Sequence, residues 1–376
     1  MACEQVTLQD VCELIVDCPH TSAKDEGVGY PLIRTPNVGR GRLILTDVHR
    51  VSQDVYERRV SRAVPRQGDL ILAREAPAGN VAIVSPGIEV CLGQRTMLLR
   101  PDSSFVVPEY LNYYLNAPEQ RDRMLRLANG ATVSHINVAD IRNMPVQLPS
   151  RGEQSKVAEL LNVLDDKIDL NNRLNDYLSQ ICDAEFTDFV SNQRDASWHD
   201  GTLNELVEIR YGKDHKKLAE GPYPVYGSGG FMRSVEKPLS SGESVLIPRK
   251  GSLNNVMYVD EKFWTVDTMF FTIPLKPGAA KYVYQYTKRL DFGTMNSGSA
   301  VPSMTTKILN SLVIPIPSDS ALVSFNKKLQ PFFDLFGKNE EENRRLVSLR
   351  DILLPKLMSG EIDVSKVDLT QLTNNH

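Results

Sequence analysis

Cationic and amide side chains gather in two parts of the chain. Lys24, Arg34, Asn37, Arg40, Arg42, Arg74, Gln94 and Arg95 lie within the first hundred residues. Lys213, His215, Lys216, Lys217, Arg233, Arg249, Lys250 and Asn254 form the second group, with Tyr211 beside the dense run Lys213-Asp-His-Lys-Lys217 and Arg249-Lys250-Gly251 at a predicted turn. Guanidinium and ammonium groups pair with guanine edges and amides with adenine edges, so these are side chains that a reader of duplex bases would use. Each one alone reads first as a solvated surface charge. As clusters on two comparable sets of loops they become candidates for nucleic-acid contact.

Bond-making chemistry finds less support. Gly227-Ser-Gly-Gly230 lacks the GxGxxG register that opens a helix beneath a nucleotide and reads as a flexible loop. The sequence holds no GxxxxGK[ST] and no Asn/Asp-Pro-Pro-aromatic segment. Asp260-Glu261-Lys262 fits only the end of a nuclease carboxylate-x-lysine pattern and reads as a charged hairpin turn between Tyr258-Val259 and Phe263-Trp264. No serine or cysteine stands at a recognisable spacing from a histidine partner. Cys3, Cys12, Cys18, Cys91 and Cys182 are odd in number and form no CxxC, which favours reduced structural thiols over a disulfide framework or a metal site.

The elements that position these residues follow from length and patterning. With 376 residues, 41% hydrophobic and 24% charged, and no apolar run near the length of a membrane span, the chain reads as two or three globular domains with no membrane partner. Its first residues, MACEQVTLQD, have neither the basic region nor the apolar core of a signal peptide, so the expected location is cytoplasmic. A net charge of −4 looks wrong for binding DNA until it is divided along the chain. Residues 151–190 carry four basic and nine acidic side chains, whereas residues 201–320 carry 14 basic and 11 acidic ones. Fields are local at physiological salt, screened beyond about 10 Å, so a basic face on either globular part is compatible with an acidic total.

A repeat runs through the chain. GATVSHINVADIRNMPVQLPS, residues 130–150, returns as GSAVPSMTTKILNSLVIPIPS, residues 298–318. Thr7-Leu8-Gln9-Asp10-Val11 parallels Thr202-Leu203-Asn204-Glu205-Leu206, and Tyr30-Pro31-Leu32 parallels Tyr223-Pro224-Val225. Asn80-Val81, Thr96-Met97, Tyr110 and Tyr114 find equivalents in Asn255-Val256, Thr268-Met269, Tyr282 and Tyr286. Two copies in conserved order mean a duplicated domain, and two like readers imply a two-part target. The hydroxyls Thr132, Ser134, Ser303 and Thr305 with His135, in the polar part of the repeated segment, suit phosphate contacts. The same stretch reads equally as a plain loop, and His135 as a loop histidine.

Within each copy, short apolar runs bounded by glycine and proline, such as Asp69-Leu-Ile-Leu-Ala and Thr268-Met-Phe-Phe-Thr-Ile, predict strands, and residues 108–127 predict a helix. Ser150-Arg-Gly-Glu153 is a capping box that starts a long helix. Val157, Leu161, Leu164, Ile168 and Leu178 then recur at threes and fours, and Phe325, Leu329, Phe336, Leu346 and Leu353 do so near the C-terminus. Asn172 and Asn343, between apolar flanks, are placed to set register. Two helices of roughly 35 residues, each about 50 Å long, are expected to pair; the plainer alternative has each capping its own domain.

Two variable α/β regions, each ending in a strand-like segment that leads into a long heptad-bearing helix, together with Leu353-Leu-Pro-Lys-Leu-Met-Ser-Gly-Glu-Ile362, resemble the DNA specificity subunit of type I restriction-modification enzymes. The resemblance covers essentially the whole chain. It implies an α+β fold with pseudo-twofold repeat: target recognition domains at 1–149 and 191–317, separated by an antiparallel coiled coil of the helices in 150–190 and 318–376. It further implies that each domain reads half of a split, asymmetric target in double-stranded DNA, with the helices as a ruler between half-sites. Two methyltransferase subunits and restriction/translocase subunits are the implied partners. S-adenosylmethionine, Mg2+ and ATP would belong to those partners, with no cofactor and no catalysis in this chain. A duplicated protein-docking scaffold remains the alternative, with a self-sufficient nuclease the weaker third reading.

Overall fold

The computed structural model describes residues 4–128, 135–295 and 303–364. Thr132 and Ser134 lie outside them. The chain divides into two units, the first formed by residues 1–170 with 342–376 and the second by residues 171–341. Each unit therefore draws on both ends of one repeat and on part of both long helices.

The first unit is built on a five-stranded sheet in the spatial order Cys12–Asp17, Thr96–Pro101, Leu70–Ala73, Val81–Ile83 and Gly41–Arg42. Its second unit counterpart has six strands, ordered Val207–Tyr211, Met269–Pro274, Ser240–Pro248, Met257–Thr265, Tyr223–Gly227 and Gly230–Val235. The repeat survives at the level of pairing. Leu32 of Tyr30–Ile33 runs parallel to Cys91, and Val225 of Tyr223–Gly227 runs parallel to Trp264. The long strand Met257–Thr265 thus does in one piece what Val81–Ile83 and Cys91–Leu92 do in two. Asp260-Glu261-Lys262 lies inside that strand, opposite Glu243, Gly242 and Ser241, and is not the hairpin turn its charge suggested. Its backbone is held by the ladder, and the Glu261 carboxylate accepts from the Tyr226 hydroxyl at 2.6 Å.

Residues 108–127 form two helices, Pro108–Asn116 and Pro118–Leu127, because Pro118 cannot continue the first and forces Ala117 into an extended conformation. The first buries Tyr110, Leu111, Tyr114 and Leu115 against the sheet, and Ala279–Thr287 does the same in the second unit with Tyr282 and Val283. Each copy also has a two-stranded sheet where its start meets its end: Glu4–Thr7 against Pro145–Leu148, and His199–Thr202 against Val313–Ile316. A short helix that sequence patterning does not announce, Val138–Arg142 or Thr306–Asn310, precedes the closing strand.

Both copies open on the same cap. Asp10 accepts from the Thr7 hydroxyl and backbone N–H, and Glu205 accepts from the Thr202 backbone and from His199. The Thr7 hydroxyl bond, then its backbone bond, holds the Asp10 carboxyl below its ordinary value, and the bonds from His199 and Thr202 do the same for Glu205. A carboxylate depressed on folding adds stability above its unfolded value, lost as pH falls through the folded one. Asp10→Asn with Glu205→Gln is therefore expected to flatten the acid limb of stability against pH below the ordinary carboxylate values of 3.8 and 4.5. Chemical denaturation at a series of pH values measures this; an unchanged acid limb would remove the caps from the pH dependence.

The central helix, Arg151–Asn192, begins at the expected box, with Ser150 N–H donating to Glu153 at 3.0 Å. The C-terminal helix, Asp319–Met358, follows Ser318, whose hydroxyl accepts from the Ala321 N–H at 3.3 Å. At 42 and 40 residues both exceed the expected length and span about 60 Å each at 1.5 Å per residue. In the first unit Asp165 binds Arg350 at 2.8 Å and Lys167 binds Glu342 at 3.3 Å. In the second unit Asn175 accepts from Asn339 at 2.8 Å, and Glu185 pairs with Lys328. Later residues of one helix meet earlier residues of the other, so the pair is antiparallel.

The helix ends serve as core as well. Val157, Ala158, Leu161, Leu354 and Leu357 join the first unit's apolar cluster, with Leu353 packed against it. Phe186, Phe189, Leu322, Phe325 and Leu329 join the second unit's cluster, where Phe189 and Phe325 stack at 4.4 Å. Mutual pairing and domain capping are thus both present. Leu164 and Leu178 are buried, and Ile168 and Leu346 half-buried. Phe336 departs from the expected seam. It is 38% exposed, and the hydrogen-bonded amides of Asn175 and Asn339 fill the interior nearby. Asn171, Asn175 and Asn339 are the buried asparagines of this helix pair, while Asn172 is exposed and Asn343 half-buried.

Candidate nucleic-acid interface

The acidity of the central helix is spent on holding neighbouring elements. Asp166 binds Arg42 at 2.7 Å, and Asp183 binds Lys288 at 2.5 Å and Arg289 at 2.9 Å. Asp165 is the most deeply placed, accepting from Arg350 and, at 2.7 Å, from the Tyr113 hydroxyl. Burial, then the Asp165 charge, pushes the Tyr113 phenol far above its ordinary value, so it stays protonated and donates. One buried node thereby joins the helix Pro108–Asn116, the central helix and the C-terminal helix within the first unit.

Several sequence candidates prove to be parts of this scaffolding. Arg42 is held by Asp166. Asn37 is buried, accepting from the Arg34 N–H and donating to the Ile44 carbonyl. Arg34 is half-buried beside it. Gln94 donates to the His20 carbonyl at 3.3 Å, Arg95 pairs with Glu75 at 2.8 Å, and Arg233 donates to the Leu218 carbonyl at 2.5 Å. Asn254 is held by Asp291 at 3.0 Å, and Thr305 caps the helix Thr306–Asn310. In this structure these groups bond within the fold, where they position loops. Lys24, Arg40, Lys213, Lys216, Lys217 and Lys250 are exposed, and His135, His215 and Ser303 are half-buried.

One constellation is repeated and yet differs between the units. In the first unit the Arg74 N–H donates to the Arg95 carbonyl at 2.8 Å, and the Ile136 N–H donates to the Arg74 carbonyl at 3.0 Å. In the second, the Arg249 N–H donates to the Thr268 carbonyl at 2.8 Å, and the Met304 N–H donates to the Arg249 carbonyl at 2.9 Å. Arg74 and Arg249 are thus equivalent positions, each stitched to the polar repeated segment that follows His135 or Ser303. The side chains meet different partners. Arg74 is nearly buried, bonded to Asp17 at 2.7 Å and to the Ile136 carbonyl at 2.9 Å. Arg249 lies over the exposed Tyr211 ring at 5.5 Å and, among the described residues, makes one long bond, 3.4 Å, to the Asp267 carbonyl. The Tyr211 hydroxyl is in turn 3.3 Å from the Thr306 hydroxyl. Asp17 and Tyr211 each end the equivalent strand, so the difference is one of sequence on a shared frame.

Beside Arg249 a groove of about 530 Å³ opens between the Lys213–Lys217 loop, the hairpin turn at Gly227–Gly230 and the turn at 266–268. The glycine run is held here by the Asn255 amide, which donates to the Ser228 carbonyl at 2.8 Å. Gly251 approaches so closely that a Cβ there would stand 2.5 Å from the Ser228 hydroxyl, at a φ of +84° that favours glycine. Sequence reasoning named the basic loop and Arg249; it did not name Phe231 and Met232 on the hairpin, or Asp17, Tyr113, Asp165 and Arg350 in the scaffolding. Exposed apolar residues after a glycine turn were the available signal for the hairpin.

Among the described residues no group of three or more metal-ligating side chains is assembled, and no helix is long and apolar enough to cross a membrane. The thiols of Cys12, Cys18, Cys91 and Cys182 are free. Burial pushes Cys12 up to about 12 and Cys91 and Cys182 up to about 11, which leaves little thiolate for chemistry.

The type I restriction modification DNA specificity domain family matches this chain twice, over residues 2–180 and 196–347. The MjaIX type I restriction enzyme specificity subunit of Methanocaldococcus jannaschii is 22% identical, covering 85% of this chain and 84% of its own. The HindI specificity subunit of Haemophilus influenzae is 20% identical over 79% of this chain and 87% of its own. The crystal structure of the type I restriction-modification S subunit from M. genitalium shares the fold, with a TM-score of 0.56 at 19% identity over 95% of this chain and 96% of that one. With one domain match on each copy of the repeat and a long helix after each, the chain belongs to the type I restriction-modification DNA specificity family.

Proposed function

We propose that this chain is the sequence-reading subunit of a type I restriction-modification assembly, each unit reading one half of a split, asymmetric target. The observation that carries the asymmetry is the pair of equivalent arginines. Arg74 is locked by a carboxylate, whereas Arg249 lies against an exposed phenol ring and, among the described residues, spends one donor on a long bond to the Asp267 carbonyl. The same frame presents different chemistry to DNA in each unit, so two different half-sites are the expected targets. Phosphate contacts from the exposed lysines position the units, and bidentate arginine contacts specify bases.

In this reading the chain itself makes and breaks no bonds. Methyltransferase subunits dock on exposed apolar residues of the long helices, Tyr177 and Ile181 on one and Leu349 and Ile352 on the other. Restriction and translocation subunits join them in the cytoplasm, bringing S-adenosylmethionine, Mg2+ and ATP. The two helices set the number of unread base pairs between half-sites.

Binding to duplex DNA separates this reading from a protein-docking scaffold. Neutralising about six phosphates implies roughly a 10³-fold loss of affinity between about 50 and about 200 mM salt. Fluorescence anisotropy with a duplex pool measures the slope. Affinity indifferent to salt, or no binding at all, would favour the scaffold.

A further inference from the structure

The groove beside Arg249 has a wall that the cationic residues do not explain. Phe231 and Met232 stand on the strand Gly230–Val235 just after the glycine turn, 58% and 55% exposed, and both line it with Val266. Neighbouring apolar side chains exposed together on a groove rimmed by polar residues mark an interaction surface. The hairpin that carries them is fixed: Arg233 is anchored to the Leu218 carbonyl, Ser228 is held by Asn255, and Met232 packs against Gly227. The facing wall is polar. His215 and Lys216 line it, and Lys213 and Lys217 in the same loop are exposed. Asp214 and Asp267 also line the groove, and Asp214 is partly spent in accepting from the Lys216 N–H at 3.0 Å. An occupant must therefore present apolar surface and hydrogen-bond acceptors side by side, within reach of a polyanion.

In the major groove, a T·A pair alone presents a C5-methyl group next to the O4 acceptor, with the adenine N7 acceptor across the pair. A G·C pair offers acceptors and a donor but no methyl group. From this match we infer that the groove is a thymine-reading site of the second unit, in which Phe231 and Met232 take the C5-methyl and the Lys216 and His215 side chains face the acceptors. The inference rests on the DNA-recognition reading and deepens it, adding two apolar specificity residues beside Arg249.

Deoxyuridine tests it directly, because it removes the methyl group and leaves base pairing unchanged. The full chain is first used to select its site from a randomised duplex pool, and the selected duplex is then rebuilt with single thymine-to-uracil replacements. Losing one buried methyl contact is expected to weaken wild-type binding about three- to tenfold at one thymine of the half-site read by the second unit. Phe231→Ala with Met232→Ala is expected to bind thymine and uracil duplexes equally at that position while the other half-site is still read. Phe231→Leu with Met232→Leu keeps apolar surface and is expected to retain the discrimination. Equal wild-type affinity for every replacement, or discrimination surviving in the alanine pair, would overturn the inference. A wild-type chain that selects no motif and binds no duplex would overturn the DNA-recognition reading on which it stands.

Discussion

Asp165→Ala is expected to destabilise the first unit by about 1–3 kcal/mol, the cost of removing the acceptor that a largely buried guanidinium and a buried hydroxyl share. The carboxylate is 6% exposed and accepts from both Arg350 and Tyr113, so alanine removes their shared acceptor and leaves Arg350 to Asp351 at 2.9 Å and the Tyr113 hydroxyl to Asn162 at 3.0 Å. Asp165→Asn keeps an acceptor but removes the charge, and its cost is expected to be smaller. Urea denaturation followed by a probe in each unit provides the measurement, since two units need not unfold in one transition. The midpoint of the first unit should fall, and that of the second should move much less. A loss below about 0.5 kcal/mol would mean that the node holds nothing together.

Arg249→Ala is expected to weaken or relax recognition of one half-site only, by about 1–3 kcal/mol, or roughly five- to 150-fold. Among the described residues the guanidinium makes one long bond and a ring contact, so its removal leaves no buried partner unsatisfied there. The equivalent change in the first unit should behave differently. Arg74→Ala leaves Asp17 without its guanidinium and the Ile136 carbonyl without its donor, so it is expected to lower stability before it alters specificity. Competition binding with duplexes altered in one half at a time separates the two effects. Equal loss at both half-sites for Arg249→Ala would remove it from base recognition.

The architecture was legible because it is written in local signals. The Ser150–Glu153 box and the three-four spacing of Val157, Leu161 and Leu164 act within a few residues, and local chemistry decides them; the repeat, though its copies lie far apart, reads directly from residue order. Phe325 and Leu329 fell where heptads put them. Phe336 did not: it is 38% exposed, while the buried amide pair of Asn175 and Asn339, 164 residues apart, bonds across the helices. The break at Pro118 was available in the sequence as a proline inside an apolar pattern, but the alternation around it concealed it. Site residues were harder for the same reason. Whether an arginine faces solvent depends on a partner that folding supplies: Asp17 reaches Arg74 across 57 residues and Asp166 reaches Arg42 across 124. Asn37 and Gln94 look like base readers by type and are spent on loop geometry. Asp260-Glu261-Lys262 looked like a turn by charge, yet its strand is set by pairing with Ser241, Gly242 and Glu243.

Mapping modified adenines across the DNA of a host that co-expresses this chain with a methyltransferase subunit encoded beside it tests the division of labour most directly. A split motif with a fixed gap is predicted, its two halves different in sequence, and Arg249→Ala should degrade one half while the gap and the other half persist. A single unbroken motif, or a soluble, stable complex that leaves the DNA unmodified and binds duplexes without salt dependence, would contradict recognition of a bipartite target by two units.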